Sequence, residues 1–292
     1  MNSNPSDDLR ASHDVPDDIR DELRRVAPRL GPIAGRLHYL ASTTSTNAMA
    51  ARLAGLGAEH GTTVIAEAQT AGRGRLGRAW FSPPGAGLYV SILLRPGPDR
   101  AATEGAPAAW TGGTSLLTLA GGVAVAEGVR AGTGLPVRIK WPNDVMAGRR
   151  KLAGILAEAS AAGNAPAHVV LGFGINLRPA AYPPELADRA TSIEAETGRP
   201  ADRALVLAET LAAVAGRYGD LRAERFDAIL TAWRALAPSV RSSLVEWDGP
   251  DGVLRGRTED IDGDGALVVR VGARAYRLVA GEVRWIQTTG ER

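Results

Sequence analysis

The sequence predicts an α+β protein with a small all-β unit at its end. Three observations carry this. The chain has 292 residues, 45% of them apolar and 23% charged, which suits one large globular domain with a small appendage. Up to about residue 237, apolar runs of period two are interspersed with helical ones. After Pro238 only short β runs remain, separated by turn residues. The expected division is 1–34 as an N-terminal extension, 35–237 as the main domain and 238–292 as a small β-barrel.

Residues 1–16, rich in Asp, Ser and Pro, read as a disordered tail, and 17–30 as a short charged helix. A strand is expected over 36–40. The polar cluster 42–47 then leads into a helix over 47–56, ended by Gly55 and Gly57. Residues 62–69 (TTVIAEAQ) form a strand and 70–78 a Gly/Arg loop. Segment 79–87 contains Pro83 and Pro84 and cannot be helical. Strand 88–95, loop 96–113, helix 114–131 and strand 137–141 follow, the last interrupted by Pro142. Residues 151–159 and 169–177 are two further strands. The first could pass for a helix on propensity, but the break at Gly163-Asn164 makes the pair a hairpin. A helical stretch over 201–236 breaks near Gly219. The terminal β runs are 243–247, 252–260, 267–271, 276–279 and 282–286, with turn signals at 262–265 (DGDG) and Val271-Gly272.

Composition excludes several chemistries. The net charge is +2, from 34 basic and 32 acidic residues, which gives no case for a nucleic-acid binder. There is no cysteine, hence no disulfide scaffold, zinc-thiolate site, iron–sulfur cluster or cysteine nucleophile. His13, His38, His60 and His168 lie far apart and form no metal-binding pair. No apolar run is long enough to span a bilayer. The polar, acidic N-terminus is no signal peptide, so the expected compartment is the cytoplasm. The basic residues are 32 arginines and only two lysines, Lys140 and Lys151. At least one of these lysines is a candidate for work that a guanidinium cannot do.

The run Gly72-Arg73-Gly74-Arg75-Leu76-Gly77 follows a predicted strand. As a dinucleotide-binding turn it fails twice: Pro83-Pro84 precludes the required helix, and no acidic residue stands about 20 positions on. A kinase-type glycine loop lacks its partner motifs H-R-D and D-F-G. A single-stranded nucleic-acid loop and a plain surface loop stay open. The chemistry suits folding over an anion, because glycines permit close approach and Arg73, Arg75 and Arg78 supply charge. Lys140-Trp141-Pro142-Asn143-Asp144 ends a strand, where Asn-Asp most often makes only a turn. Gly154, Gly172 and Gly174 inside strands suggest close approach of a ligand, and Asn176 shares a face with the last two. Ser45-Thr46-Asn47 would ordinarily be a helix cap, and Gln69 an exposed strand end.

Taken in order, S-T-N, Q-T-A-G-R-G-R-L-G-R-x-W, L-Y-V-S, K-W-P-N-D, R-K-L-A-G-I-L-x-E and G-x-G-I-N resemble the catalytic domain of bacterial biotin protein ligases. The resemblance covers about residues 35–237, and the final segment resembles that family's SH3-like domain. It implies a mixed sheet flanked by helices, related to class II tRNA synthetases and lipoate ligases. It implies that Ser45, Thr46, Asn47, Gln69, Gly72, Arg73, Gly74, Arg75, Lys151 and Gly172 hold biotin or its adenylate. Arg75, Arg78, Trp80, Asn143, Asp144 and Asn176 would surround ATP, which arrives with Mg²⁺. Lys151, Arg73 and Asp144 would be the catalytic groups. The implied partner is the biotin carrier domain of an acyl-CoA carboxylase. Many members carry an N-terminal winged helix that represses genes. The segment before Ser45 is too short for one, so this chain looks like the form without specific DNA binding. Lipoate–protein ligase is the alternative within enzymes, and a single-stranded nucleic-acid module the alternative outside them.

Overall fold

The computed structural model describes residues 14–95, 113–162, 165–180, 182–249, 252–279 and 281–286. Residues 1–13 of the predicted tail, 96–112 of the predicted loop and the Gly163-Asn164 break lie outside them, while at the end of the tail Val15 packs against the core. Helix α1 spans Asp17–Leu30 and is followed by strand β1, Leu37–Leu40. Helix α2 (Thr46–Gly55), β2 (Thr63–Ala66) and β3 (Gly87–Leu94) come next, with a single 3-10 turn at Arg75–Gly77 inside the Gly/Arg loop. Helix α3 (Gly113–Thr133) leads into β4 (Val137–Lys140), β5 (Asp144–Ala147), β6 (Arg150–Ala162) and β7 (Ala165–Asn176). Two short helices, α4 (Pro184–Ala187) and α5 (Ile193–Thr197), precede α6 (Arg203–Arg222) and α7 (Phe226–Leu236). Strands β8 (Leu244–Gly249), β9 (Gly252–Ile261), β10 (Leu267–Val271), β11 (Arg274–Leu278) and β12 (Val283–Ile286) complete the chain.

The first seven strands form one sheet in the order β1-β2-β3-β7-β6-β5-β4. Only β1 and β2 pair in parallel, so the sheet is mixed, as the motifs imply. The last five pair antiparallel in the order β11-β10-β9-β8-β12. Both sheets share one apolar core, with Ile155, Leu171, Val123 and Trp233 beside Val245, Leu267 and Val269. The small sheet therefore docks on the large one, and Trp141 Nε1 donates to Gly265 O across the junction at 3.0 Å. No helix among the described residues is long and apolar enough to cross a membrane.

Three elements differ from the sequence expectation. Asp144 opens strand β5 instead of closing a turn, which Trp141-Pro142-Asn143 makes alone. The long helical stretch breaks at 223–225, where Glu224 takes φ +52°, and Gly219 stays inside α6. Helices α4 and α5 are too short to show a period in sequence; Ser192 caps α5 by accepting from Ala195 N at 3.3 Å.

Period-two alternation sets the functional face. On β6 and β7, Ala153, Ile155, Leu171, Phe173 and Ile175 join the core under α3 and α6. The intervening Gly154, Leu156, Glu158, Gly172 and Gly174 turn to the other face, which α2 covers with Met49, Ala50 and Leu53. Apart from Leu156, these intervening residues are glycines or polar, which leaves room above them.

Helix α1 buries Ile19, Val26 and Leu30 in the core and is tied to it further by charge. Arg25 and Arg29 both donate to Glu209, at 2.7 and 2.9 Å, and Arg203 donates to Asp18 at 3.0 Å. Burial raises the Glu209 carboxyl, but the two guanidiniums outweigh it and hold it below its ordinary value. The hydrogen bond from Arg203 likewise lowers Asp18. A carboxyl depressed in the fold stabilises fully above its unfolded pKa, near ~4, and that stability is lost as pH falls through the folded value. The melting temperature should therefore hold from neutrality to about pH 5 and fall below about pH 4. Glu209→Gln should lower the neutral plateau and flatten the acid limb. A melt series with the same acid limb in both proteins would count against this role for Glu209.

Candidate active site

The first wall of the site is polar and preorganised. Ser45 caps α2, its hydroxyl lying 3.5 Å from Ala48 N. Thr46 offers both its backbone N–H and its hydroxyl to Gln69 Oε1, at 2.9 and 3.1 Å. Gln69 Nε2 in turn donates to Ser82 Oγ at 2.9 Å, and Ser82 donates to Trp80 O. The Ser91 hydroxyl stands 2.8 Å from Thr46 Oγ1 and 2.6 Å from Asn47 Oδ1. Asn47 Nδ2 donates to Glu158 Oε2 at 2.7 Å. Asn47 can lie this flat on the sheet because position 172 is glycine: a Cβ there would sit 2.0 Å from Asn47 Oδ1.

The Gly/Arg loop supplies the second wall. Gly72 O accepts from Trp80 N at 2.8 Å, and Gly74 N donates to Arg78 O at 2.7 Å, so the loop folds back on itself. A Cβ on Gly72 would meet Trp80 O at 2.5 Å, which explains that glycine. Leu76 sits at the tip with φ +55° and is 68% exposed. Beneath the loop is a cavity of about 670 Å³. Thr114, Ser115, Thr118 and Leu119 of α3, Trp141-Pro142, and Leu156, Ala157 and Glu158 of β6 complete its lining, with Gly265 and Val279 from the loops of the C-terminal β region.

The cations of the site are mostly held by acids. Arg73 pairs with Glu158 at 3.1 Å, Lys151 with Asp144 at 2.5 Å, and Arg78 closely with Glu282 of the small sheet. The Glu282 contact raises the Arg78 guanidinium. Arg75 makes no ion pair among the described residues, and burial lowers its pKa while Asp144 pulls it up. Burial also lowers Lys140. The Trp80 indole lies across the cross-strand pair Gly154 and Gly174, where added Cβ atoms would meet its ring at 3.0 and 2.3 Å. Lys151 Nζ stands 5.2 Å from the centre of that ring. Trp80 Nε1 is buried and bonds to no described group.

The expected residues fall into four sets. Gly72, Arg73, Gly74, Arg75 and Arg78 line the cavity. Thr46, Asn47, Gln69 and Gly172 form the neighbouring wall, joined to the loop through Glu158. Lys151, Asp144 and Trp80 cluster over the glycine pair. Asn143 and Asn176 do frame work: their amides donate to Ile155 O and Thr191 O, both at 2.9 Å. Sequence reading missed Ser82, Ser91, Glu158 and the start of α3 as site residues. Ser91 and Glu158 did carry a signal, since each interrupts an apolar strand on the face that also bears the glycines.

A glycine- and arginine-rich loop over a polar-walled cavity on a mixed sheet matches a known class. The chain belongs to the biotin/lipoate A/B protein ligase family, whose model matches residues 39–176. Its relatives include a biotin–[acetyl-CoA-carboxylase] ligase from Mycobacterium tuberculosis, 35% identical over 272 residues, which are 91% of this chain and 93% of that one. The bifunctional ligase/repressor BirA of Bacillus spizizenii is 33% identical over 249 residues, or 85% of this chain and 73% of its own length. Among solved structures, the biotin protein ligase of Aquifex aeolicus in complex with biotin and ATP aligns with a TM-score of 0.71 at 28% identity. It covers 87% of this chain and 100% of that one.

Proposed function

We propose that the chain is an ATP-dependent biotin protein ligase, with 35–237 as its catalytic domain and 238–292 as an SH3-like barrel. One observation carries the reading: a loop bearing Arg73, Arg75 and Arg78 roofs a cavity of about 670 Å³ beside the Thr46–Gln69–Asn47 wall. That volume suits an organic ligand. Thr46 and Gln69 provide donors and acceptors for the ureido edge of biotin, and the glycine-bearing strands make room for its rings.

In the first step the biotin carboxylate attacks the α-phosphorus of ATP. The bond to pyrophosphate breaks, and biotinyl-5′-AMP remains. Both reactants are anions, so Arg73, Arg75 and Lys151 serve by neutralising them and the charge that grows on the α-phosphoryl oxygens. Bound to the triphosphate as part of the substrate, Mg²⁺ would supply the same charge neutralisation to the leaving pyrophosphate. The acids facing the site, Asp144 and Glu158, each already hold a cation, so phosphate oxygens are its proposed ligands. The loop keeps water from the mixed anhydride. In the second step a carrier lysine amine attacks the anhydride carbonyl, AMP leaves, and the amine loses a proton. Asp144 is the proposed base or orienting group. The proposed carrier is the biotin domain of an acyl-CoA carboxylase in the cytoplasm, and DNA is not among the proposed partners.

Biotin-dependent exchange of pyrophosphate into ATP tests this directly. Exchange driven by lipoate and not by biotin would overturn it in favour of the lipoate ligase reading. Arg73→Gly should leave exchange measurable and speed the escape of biotinyl-AMP about tenfold, because the loop loses one charged contact. Unchanged release in a chase with labelled adenylate would remove Arg73 from the clamp.

A further inference from the structure

Glu158 has no part in the chemistry above, yet its carboxylate stands where the two walls of the site meet. One oxygen, Oε2, accepts from Asn47 Nδ2 at 2.7 Å and from Arg73 Nη2 at 3.1 Å. A continuous chain of polar contacts thus runs from Gln69 through Thr46, Ser91, Asn47 and Glu158 to Arg73. The middle of that chain cannot drift. Asn47 is 5% exposed, rests on Gly172 and also reaches Leu156 O. The outer end can. The Arg73 and Glu158 side chains are 47% and 39% exposed, and an ion pair that open to water is weak.

We propose that Glu158 is a positioning residue that parks Arg73 over the cavity and must surrender it to the phosphate of the adenylate. Glu158 takes Arg73 by Nη2, the nitrogen common to both two-pronged edges of a guanidinium, and a phosphate gripping either edge brings its own negative charge against the carboxylate, so the two compete. Because Asn47 anchors Glu158 from below, the carboxylate stays at its post when Arg73 leaves. It therefore opposes retention of the anion and orders the loop before the anion arrives. The proposal deepens the ligase reading and rests on it only for the identity of the anion.

Glu158→Gln keeps an oxygen that accepts from Asn47 but removes the charge that holds Arg73, leaving that contact at most a neutral hydrogen bond. In the ligand-free protein, trypsin should cut after Arg73, Arg75 or Arg78 several-fold faster in the variant. Release of biotinyl-AMP should slow by about two- to fivefold, the range expected for a half-exposed pair. That is opposite in sign to Arg73→Gly, and the double variant should release like Arg73→Gly alone. A merely structural role for Glu158 would not slow release. Glu158→Ala removes both bonds and should share the faster cleavage. Cleavage or release unchanged in Glu158→Gln, or faster release, overturns the proposal, as does a cleavage effect confined to Glu158→Ala. A wild-type chain that makes no biotinyl-AMP would sink the ligase reading, and the ligand-free digestion would still judge the contact.

Discussion

Replacing Lys151 by arginine should cut biotin-dependent ATP–pyrophosphate exchange by about 100-fold or more, with little change in melting temperature. The backbone of Lys151 is fixed on both sides: its N–H donates to Arg189 O at 2.7 Å, and its carbonyl accepts from Thr191 N at 2.9 Å. Its ammonium is enclosed by the Asp144 carboxylate at 2.5 Å and the Trp80 ring at 5.2 Å. Gly154 lies on the third side, where an added Cβ would stand 3.3 Å from Nζ. A compact ammonium can turn from Asp144 toward a carboxylate or phosphate without leaving this niche. A guanidinium is larger and planar, and both its neighbours suit it too well: it can fork onto Asp144 and stack on Trp80. Held there, it faces away from the reacting oxygens. The composition points the same way, since lysine occupies this position in a chain with 32 arginines and two lysines. Exchange at the wild-type rate in Lys151→Arg would show that a point charge is not required.

The parts of this molecule that were legible in sequence are those governed by local rules. The strand 169–177 showed because glycines punctuate an apolar run, and 151–159 because the Gly163-Asn164 break pairs it with that strand as a hairpin; in the fold they extend over Arg150–Ala162 and Ala165–Asn176. The five terminal strands showed because turn residues punctuate them. The Gly/Arg loop showed by its glycine spacing and its lack of a following helix. What was hidden depends on elements meeting in space. Nothing near Asn47 in the chain announces Ser91 or Glu158, which reach it from β3 and β6. Nothing in the loop foretells that Arg78 pairs with Glu282, some 200 positions on. The start of α3, which lines the cavity with Thr114 and Ser115, reads in sequence as an ordinary helix end. The break at Glu224 was misplaced to Gly219 because glycine is the commoner breaker, and here a glutamate takes the left-handed conformation.

Gly172→Ala should weaken biotin binding by about 10- to 100-fold while costing only about 1–3 kcal/mol of stability. The strand itself tolerates alanine, because Gly172 has no positive φ and pairs regularly with Ser91 and Leu156. The obstacle is Asn47, whose Oδ1 would lie 2.0 Å from the new methyl. Asn47 is buried and bonded to Ser91, Leu156 and Glu158, so it cannot turn aside without breaking those bonds. Turning it aside also strands the Ser91 hydroxyl, which bridges to Thr46 and through it to Gln69. One methyl thereby disorganises the whole polar wall proposed to read the ureido edge, while the apolar face of the sheet stays intact. Gly216→Ala is the matched control. It lies in α6 with nothing within 4 Å of an added Cβ, so alanine should stabilise that helix by about 0.5–1 kcal/mol and leave binding alone. Calorimetric titration with biotin and thermal melts on both variants read the two effects separately. Wild-type affinity in Gly172→Ala would mean that the Asn47 wall does not hold the ligand.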